Sequence, residues 1–295
     1  MGVFVYVNDN GEFVKEFSDT EHTIRNKKQD EFILRKRKVE TEFDLYNEEA
    51  GKFIWSYPDK IQYLIHSEEF TKSDLTMIFY LATYINGFGY ITFDNNNVKM
   101  SKKDIQERLG ISRNAFSNFF NKLVNHQILI PEEVGFKWDE TYNFYGKTKG
   151  KAKPKMLVRT YVNQVRELYE AVKPDGKKKH SAVSLYPVFA LVPYLHNSTN
   201  IVCKNPEVKN IEDIEYFNLK EITKLLVLNQ TKKVSSGLSS LLLDGQTVFV
   251  KVTSKNETYF KLNPRIFWKG TTAPDKRLVA EFDMVDNNRK KRKCK

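Results

Sequence analysis

The chain has 295 residues, with 48 Lys and Arg against 37 Asp and Glu, a net charge of +11. Hydrophobic residues at 40% and aromatics at 13% are enough for packed cores in about two ordinary domains, which excludes a largely disordered chain. The excess of positive charge favours a polyanion, usually nucleic acid.

"MGVFVYVNDNGEF" at the start lacks the charged segment and long apolar run of a signal peptide. No apolar stretch approaches the roughly 20 residues that cross a bilayer. Cys203 and Cys294 offer neither a disulfide framework nor a metal-like spacing. The expectation is a cytoplasmic protein with no membrane partner, no metal and no cofactor.

"VFVYV", "NDNG" and "EFVKEF" predict a β-hairpin, with Asn and Gly supplying positive φ in the turn. "EFILRKRKVETEF" alternates charges with Phe32, Leu34 and Val39 and reads as a half-exposed strand. From Ser73 the pattern turns helical: Leu75, Ile78, Phe79 and Ala82 recur at helical spacing, Ser73 caps, and Asn86-Gly87 ends the run. A short strand "YITF" follows. Ser101 then caps "KKDIQERL", with Asp104 placed for a reciprocal cap, and Gly110 closes that helix. Ser112 caps the next, which runs to about Asn125, and "QILI" and "VGFKWDET" make two strands. Ile105, Leu109, Ile111, Phe116, Phe119 and Leu123 supply a common core for these helices.

The pattern occurs twice. "VFALVPYLH" at 188–196 echoes "IFYLATYIN" at 78–86, and "FNLKEITKLLVLNQTKKVSSGLSSLL" echoes "KMSKKDIQERLGISRNAFSNFFNKLV". Asn218 matches Ser101, Glu221 matches Asp104, Leu226 matches Leu109, and Asn229 takes the capping place of Ser112. "FKLNPRIFWKG" at 260–270 matches "FKWDETYNFYG" at 136–146 with one gap. A common core seen twice in the same order marks an internal duplication.

The order helix, strand, helix, turn, helix, hairpin is that of a winged helix-turn-helix. The expected fold is therefore α+β, with two tandem winged helix-turn-helix domains, an N-terminal β-hairpin extension and a connecting helix. The boundaries fall at 1–60 for the β-rich extension, 61–150 and 181–275 for the winged domains, 151–180 for the linker, and 276–295 for a basic tail. In the linker, "MLVRTYVNQVRELYEAV" predicts one helix between the basic loops "KTKGKAKPK" and "KPDGKKKHS"; a homodimer surface is the alternative role for it.

The second helix of each pair carries the chemistry. Beyond its apolar residues, the helix after Ser112 leaves Arg113, Asn114, Ser117, Asn118, Asn121 and Lys122 outside. Asn and Ser are poor helix formers, costing a few tenths of a kcal/mol each against Lys or Glu. A bidentate pair between Arg and guanine or Asn and adenine contributes about 1–3 kcal/mol of discrimination, which outweighs that cost. Arg113, Asn114, Ser117 and Asn118 are assigned to bases and Lys122 to phosphate. The second copy presents Gln230, Thr231, Lys232, Lys233, Ser235 and Ser236 around an inward Val234 and Leu238, with Gly237 set for close packing or helix termination. Its wing carries Lys251 and Lys255 toward the backbone or the minor groove.

No catalytic residues are assigned. A Gly-rich phosphate loop ending in Lys-Ser or Lys-Thr is missing, and His22, His66, His126, His180 and His196 are scattered.

"YFKLNPRIFWKG" at 259–270, preceded by "LKEITKLLVLNQTKKVSSGLSSLL", resembles replication initiator proteins of plasmids and phages of low-GC Gram-positive bacteria. The resemblance covers about two thirds of the chain and leaves out the first 60 residues. In the first copy the matching segment lacks Asn-Pro. The resemblance implies an initiator that binds repeated sites in origin DNA, melts or marks that origin, recruits host replication proteins, and can repress its own promoter. A phage or plasmid transcription regulator acting on operator repeats, or a structural or partitioning adaptor, are the rival readings.

Overall fold

The computed structural model describes residues 3–7, 13–18, 27–93, 97–146, 157–243, 245–254 and 257–283. They belong to two compact units, Met1–Leu45 and Tyr46–Lys295. In the first unit β1 (Val3–Val7) and β2 (Phe13–Ser18) form an antiparallel hairpin from Val3 opposite Ser18, with an irregularity between Tyr6 and Val7. The expected turn residues lie outside the described set.

The segment expected as a strand over 31–43 is instead part of a 24-residue helix, α1 (Lys27–Ala50). Phe32, Val39, Phe43, Tyr46 and Ala50 recur at intervals of seven, four and three, so they share one helical face. Glu, Lys, Arg and Leu between them favour helix. The local alternation around Phe32 and Leu34 is a coincidence of this longer period.

The second unit is organised around a four-stranded antiparallel sheet in the order β12 (Phe267–Trp268), β7 (Val158–Tyr161), β3 (Phe53–Ser56), β6 (Asn143–Tyr145). β3 and β7 pair at its centre, Ile54 opposite Thr160 and Trp55 opposite Arg159. Ser56 and Thr160 share a 2.7 Å hydroxyl hydrogen bond, and Asn143 donates to the Ser56 hydroxyl at 2.7 Å, so the buried polar groups are satisfied across three strands. Each half of the duplication supplies one inner strand and one outer strand.

Each inner strand leads into a helix: β3 into α2 (Pro58–His66) and β7 into α6 (Val162–Glu170). The linker helix expected over 156–172 is thus a strand followed by a shorter helix. All four residues of Val158–Tyr161 are buried between two neighbouring strands, and that pairing overrides the local helical spacing. Residues 158–170 are therefore the second copy's counterpart of β3 and α2, and the duplication begins earlier than the boundaries at 61 and 181.

Next come α3 (Lys72–Ala82) and α7 (Ala182–Ala190), which pack on each other. Phe79 and Phe189, at matching positions of the two copies, stack at 4.7 Å between ring centres. Antiparallel inner strands and self-matching rings are what a local two-fold relation between the halves produces. The start of α3 differs from expectation: Thr71, not Ser73, is the cap, with Thr71 and Asp74 capping each other reciprocally. The helix ends at Ala82, and the Asn86 side chain accepts from the Phe88 and Tyr90 amides, shaping the turn beyond it.

Both copies then repeat the same bridges. Ile85 pairs with Ile91 as Leu195 pairs with Val202, and Tyr90 pairs with Lys137 as Ile201 pairs with Lys261. Residues 276–283 are helical, and Leu278 and Phe282 are buried, so the expected tail begins as packed structure; residues 284–295 lie outside the described set. No helix among the described residues is long and apolar enough to cross a membrane.

Candidate nucleic-acid interface

In the first copy, α4 (Lys102–Leu109) opens with Ser101 and Asp104 capping each other, and it stops at Gly110 in the left-handed region, φ 63°. Ser112 caps α5 (Arg113–Asn125), accepting from the Ala115 amide. Phe116, Phe119, Phe120 and Leu123 are buried. Arg113, Asn114 and Asn118 are exposed and Ser117 is half-buried. Among the described residues the side chains of these four make no hydrogen bond or ion pair. The outer ridge expected from the sequence therefore exists as a row of unused donors and acceptors.

Lys122 does not belong to that row. Its ammonium lies 2.7 Å from the buried Asp74 carboxylate, which also accepts the Thr71 amide. A buried carboxylate needs that partner, so Lys122 staples α5 to the start of α3 instead of waiting for a phosphate. Lys102, passed over in the sequence, carries its ammonium 4.3 Å from the centre of the Phe120 ring, beside the same pair of helices. Only its place at the start of α4, the helix that crosses the backbone in such motifs, could have drawn attention to it.

The hairpin expected as the first copy's wing pairs β4 (Leu129–Pro131) with β5 (Phe136–Trp138). Its tip is Glu132-Glu133-Val134-Gly135, exposed at both carboxylates. An acidic tip is unsuited to lie along phosphates.

The second copy has α8 (Leu219–Leu225), capped reciprocally by Asn218 and Glu221, and α9 (Thr231–Ser240). Glu221 also meets Lys204 at 2.6 Å. Gln230, not Asn229, is the residue before α9, and its side chain makes no cap bond. Val234 and Leu238 are buried; Gln230, Lys232, Lys233 and Ser236 are exposed, and Thr231 and Ser235 are half-buried. The Ser236 hydroxyl donates back to the Lys233 carbonyl at 3.2 Å. Gly237 faces open space, with nothing within 4 Å of an added Cβ, and lies inside the helix, so neither reason expected for it holds.

After a short antiparallel pair, β8 (Leu242–Leu243) and β9 (Gln246–Thr247), the second copy's hairpin is longer than the first's. β10 (Phe249–Ser254) pairs with β11 (Glu257–Leu262), and Lys251 is exposed on it. Lys255 lies outside the described residues.

The residues behind the family resemblance turn out to have local structural duties. The Asn263 side chain accepts the Arg265 amide at 3.0 Å and donates to the Thr247 carbonyl, turning the chain from β11 toward β12. Lys269, 2% exposed, pairs with Glu207 at 2.5 Å. A Cβ on Gly270 would fall 2.3 Å from the Trp268 ring. The first copy builds the same turn without Asn-Pro: Asp139 accepts the Thr141 amide at 2.9 Å. Its own amide bonds the Ile128 carbonyl as that of Asn263 bonds Val248.

Comparison of the chain with family models, with curated proteins and with solved structures finds no match in any of the three.

Proposed function

We propose that this chain is a sequence-specific double-stranded DNA-binding protein that initiates replication at a plasmid or phage origin, its halves acting as tandem winged helix-turn-helix modules. One observation carries the reading: α5 and α9 occupy matching places in a duplicated fold, and among the described residues Arg113, Asn114, Ser117 and Asn118 on the one, and Gln230, Lys232 and Lys233 beside the other, turn outward side chains with no intramolecular hydrogen bond or ion pair. On a chain of net charge +11, such ridges suit a duplex groove.

Arg113 forks onto guanine, while Asn114 and Asn118 match the donor–acceptor pair of adenine. With Lys122 paired to Asp74, the ridge of α9 carries two free cations among the described residues, Lys232 and Lys233, against Arg113 alone on α5, which suits it to phosphates, with Lys251 along the backbone beside it. With about 6 phosphate contacts, affinity would fall roughly 10³-fold between 50 and 200 mM salt. Nothing in this scheme requires chemistry on the DNA; melting or marking the origin and recruiting host replication proteins are what the family resemblance implies.

Selection of bound duplexes from fragmented plasmid or phage DNA, followed by footprinting, tests the reading. Protection of repeated sites in an AT-rich origin is the expected result. Protection confined to promoters would make the chain a regulator, and salt-sensitive retention without preferred sequence would make it an adaptor.

A further inference from the structure

Each half reaches across to the turn of the other half's helix pair. Lys72, the first residue of α3, donates its ammonium to the Val227 carbonyl at 2.6 Å. Lys178, in the loop before α7, donates to the Leu109 carbonyl at 3.1 Å, which also accepts the Tyr169 hydroxyl at 2.9 Å. Leu109-Gly110 corresponds to Leu226-Val227 in the duplication, so the two lysines grip equivalent turns, one in each copy, at carbonyls one position apart. The relation is reciprocal: the lysine of the first copy holds the second copy's turn, and the reverse.

These turns fix the angle between α4 and α5, and between α8 and α9. Both pass through the left-handed region, at Gly110 with φ 63° and at Val227 with φ 50°. Glycine adopts that conformation freely, whereas a β-branched residue persists there only when surrounding contacts over-determine it. Val227 is two-thirds exposed, so packing does not hold it. Besides the turn's own backbone bonds, the Lys72 bond is the contact that reaches it from the other half, and charged donors at a helix's last carbonyls are favourable in their own right.

We propose that Lys72 and Lys178 are crossed positioning residues, each setting from one half the helix with which the other half meets DNA. The DNA consequence rests on the function proposed above; the clamp itself does not.

The test pairs hydrogen exchange on the free protein with footprinting on a selected duplex, the half-sites being assigned by Asn118→Ala and Lys233→Ala. The readouts are the Val227 and Leu228 amides, bonded to Lys224 and Thr223, and the Gly110 amide, bonded to Gln106. Lys72→Met should speed exchange at Val227 and Leu228 about 10-fold or more, leave Gly110 unchanged, and weaken protection only at the half-site of α9. Lys72→Arg should restore both. Lys178→Met with Tyr169→Phe should give the mirror image. Should Lys72→Met fold poorly, Val227→Gly in the same chain removes the strained residue and should recover the turn. Unchanged exchange at Val227 and Leu228, or equal loss at both turns, overturns the clamp. If no duplex is selected, the DNA reading fails while the exchange measurement still decides the clamp.

Discussion

Asn118 stands exposed on the outer ridge of α5, in a helix where Lys or Glu would be the more stabilising choice. If its amide reads a base, Asn118→Ala removes about 1–3 kcal/mol from the specific complex and little from the nonspecific one. Titration of a selected duplex and a scrambled one gives both values, and equal losses on the two would remove Asn118 from the base contacts. Gly237 offers a test of stability at the same scale. It is helical, exposed and clear of neighbours, so Gly237→Ala should raise the unfolding free energy by about 1 kcal/mol, read as a higher urea midpoint at unchanged slope. Lys122 shows how a residue on the right face acquires another role: the spacing of α5 put it outward, but only the fold brought Asp74 within 2.7 Å.

Among elements, α4 and α8 share a device that titrates. Hydrogen bonds from Ser101 hold the Asp104 carboxyl below its ordinary range, and the Lys204 ammonium with the Asn218 amide does the same for Glu221. A carboxyl depressed in the folded state contributes stability that is fully present above its unfolded value and is lost as pH falls through the folded one. Stability should therefore decline on the acid side of the ordinary carboxylate range. Asp104→Asn should flatten that decline while lowering the neutral-pH plateau, and thermal unfolding across acidic pH measures both. The hairpins differ between copies for a physical reason: β4 and β5 are three residues each with two glutamates at the tip, whereas β10 and β11 are six residues each and carry Lys251. Under the proposed function, the second hairpin is the one suited to DNA.

At the level of the whole molecule, the halves are not beads on a linker. β3 and β7 pair at the centre of one sheet, Phe79 stacks on Phe189, and lysines cross between the turns. This rigid coupling fixes the distance between the two ridges. Inserting about 5 base pairs, half a helical turn, between the half-sites should cost at least ~100-fold in affinity, because simultaneous engagement is lost. Inserting a full turn should recover little, since a rigid body cannot stretch. Gel-shift titration of the three spacings measures this; a loss of only a few-fold at every spacing would mean the halves act independently.

Some of the helix ends and the ridges were legible in the sequence, because they depend on neighbours within a few residues, although the starts of α3 and α9 fell at Thr71 and Gln230 and not at Ser73 and Asn229. The reciprocal caps of Ser101 with Asp104 and Asn218 with Glu221, the stop at Gly110, and the inward Phe116, Phe119 and Leu123 all follow from local hydrogen bonding and the 3.6-residue period. The duplication was legible for the same reason, as two copies of one apolar pattern. Three things were decided only by the tertiary structure: that Val158–Tyr161 is a central strand, that Lys122 serves Asp74, and that each turn is held by the opposite half. Their partners lie from about fifty to more than a hundred residues away along the chain. No local period records such pairings, because they form only when segments far apart in the chain are packed together.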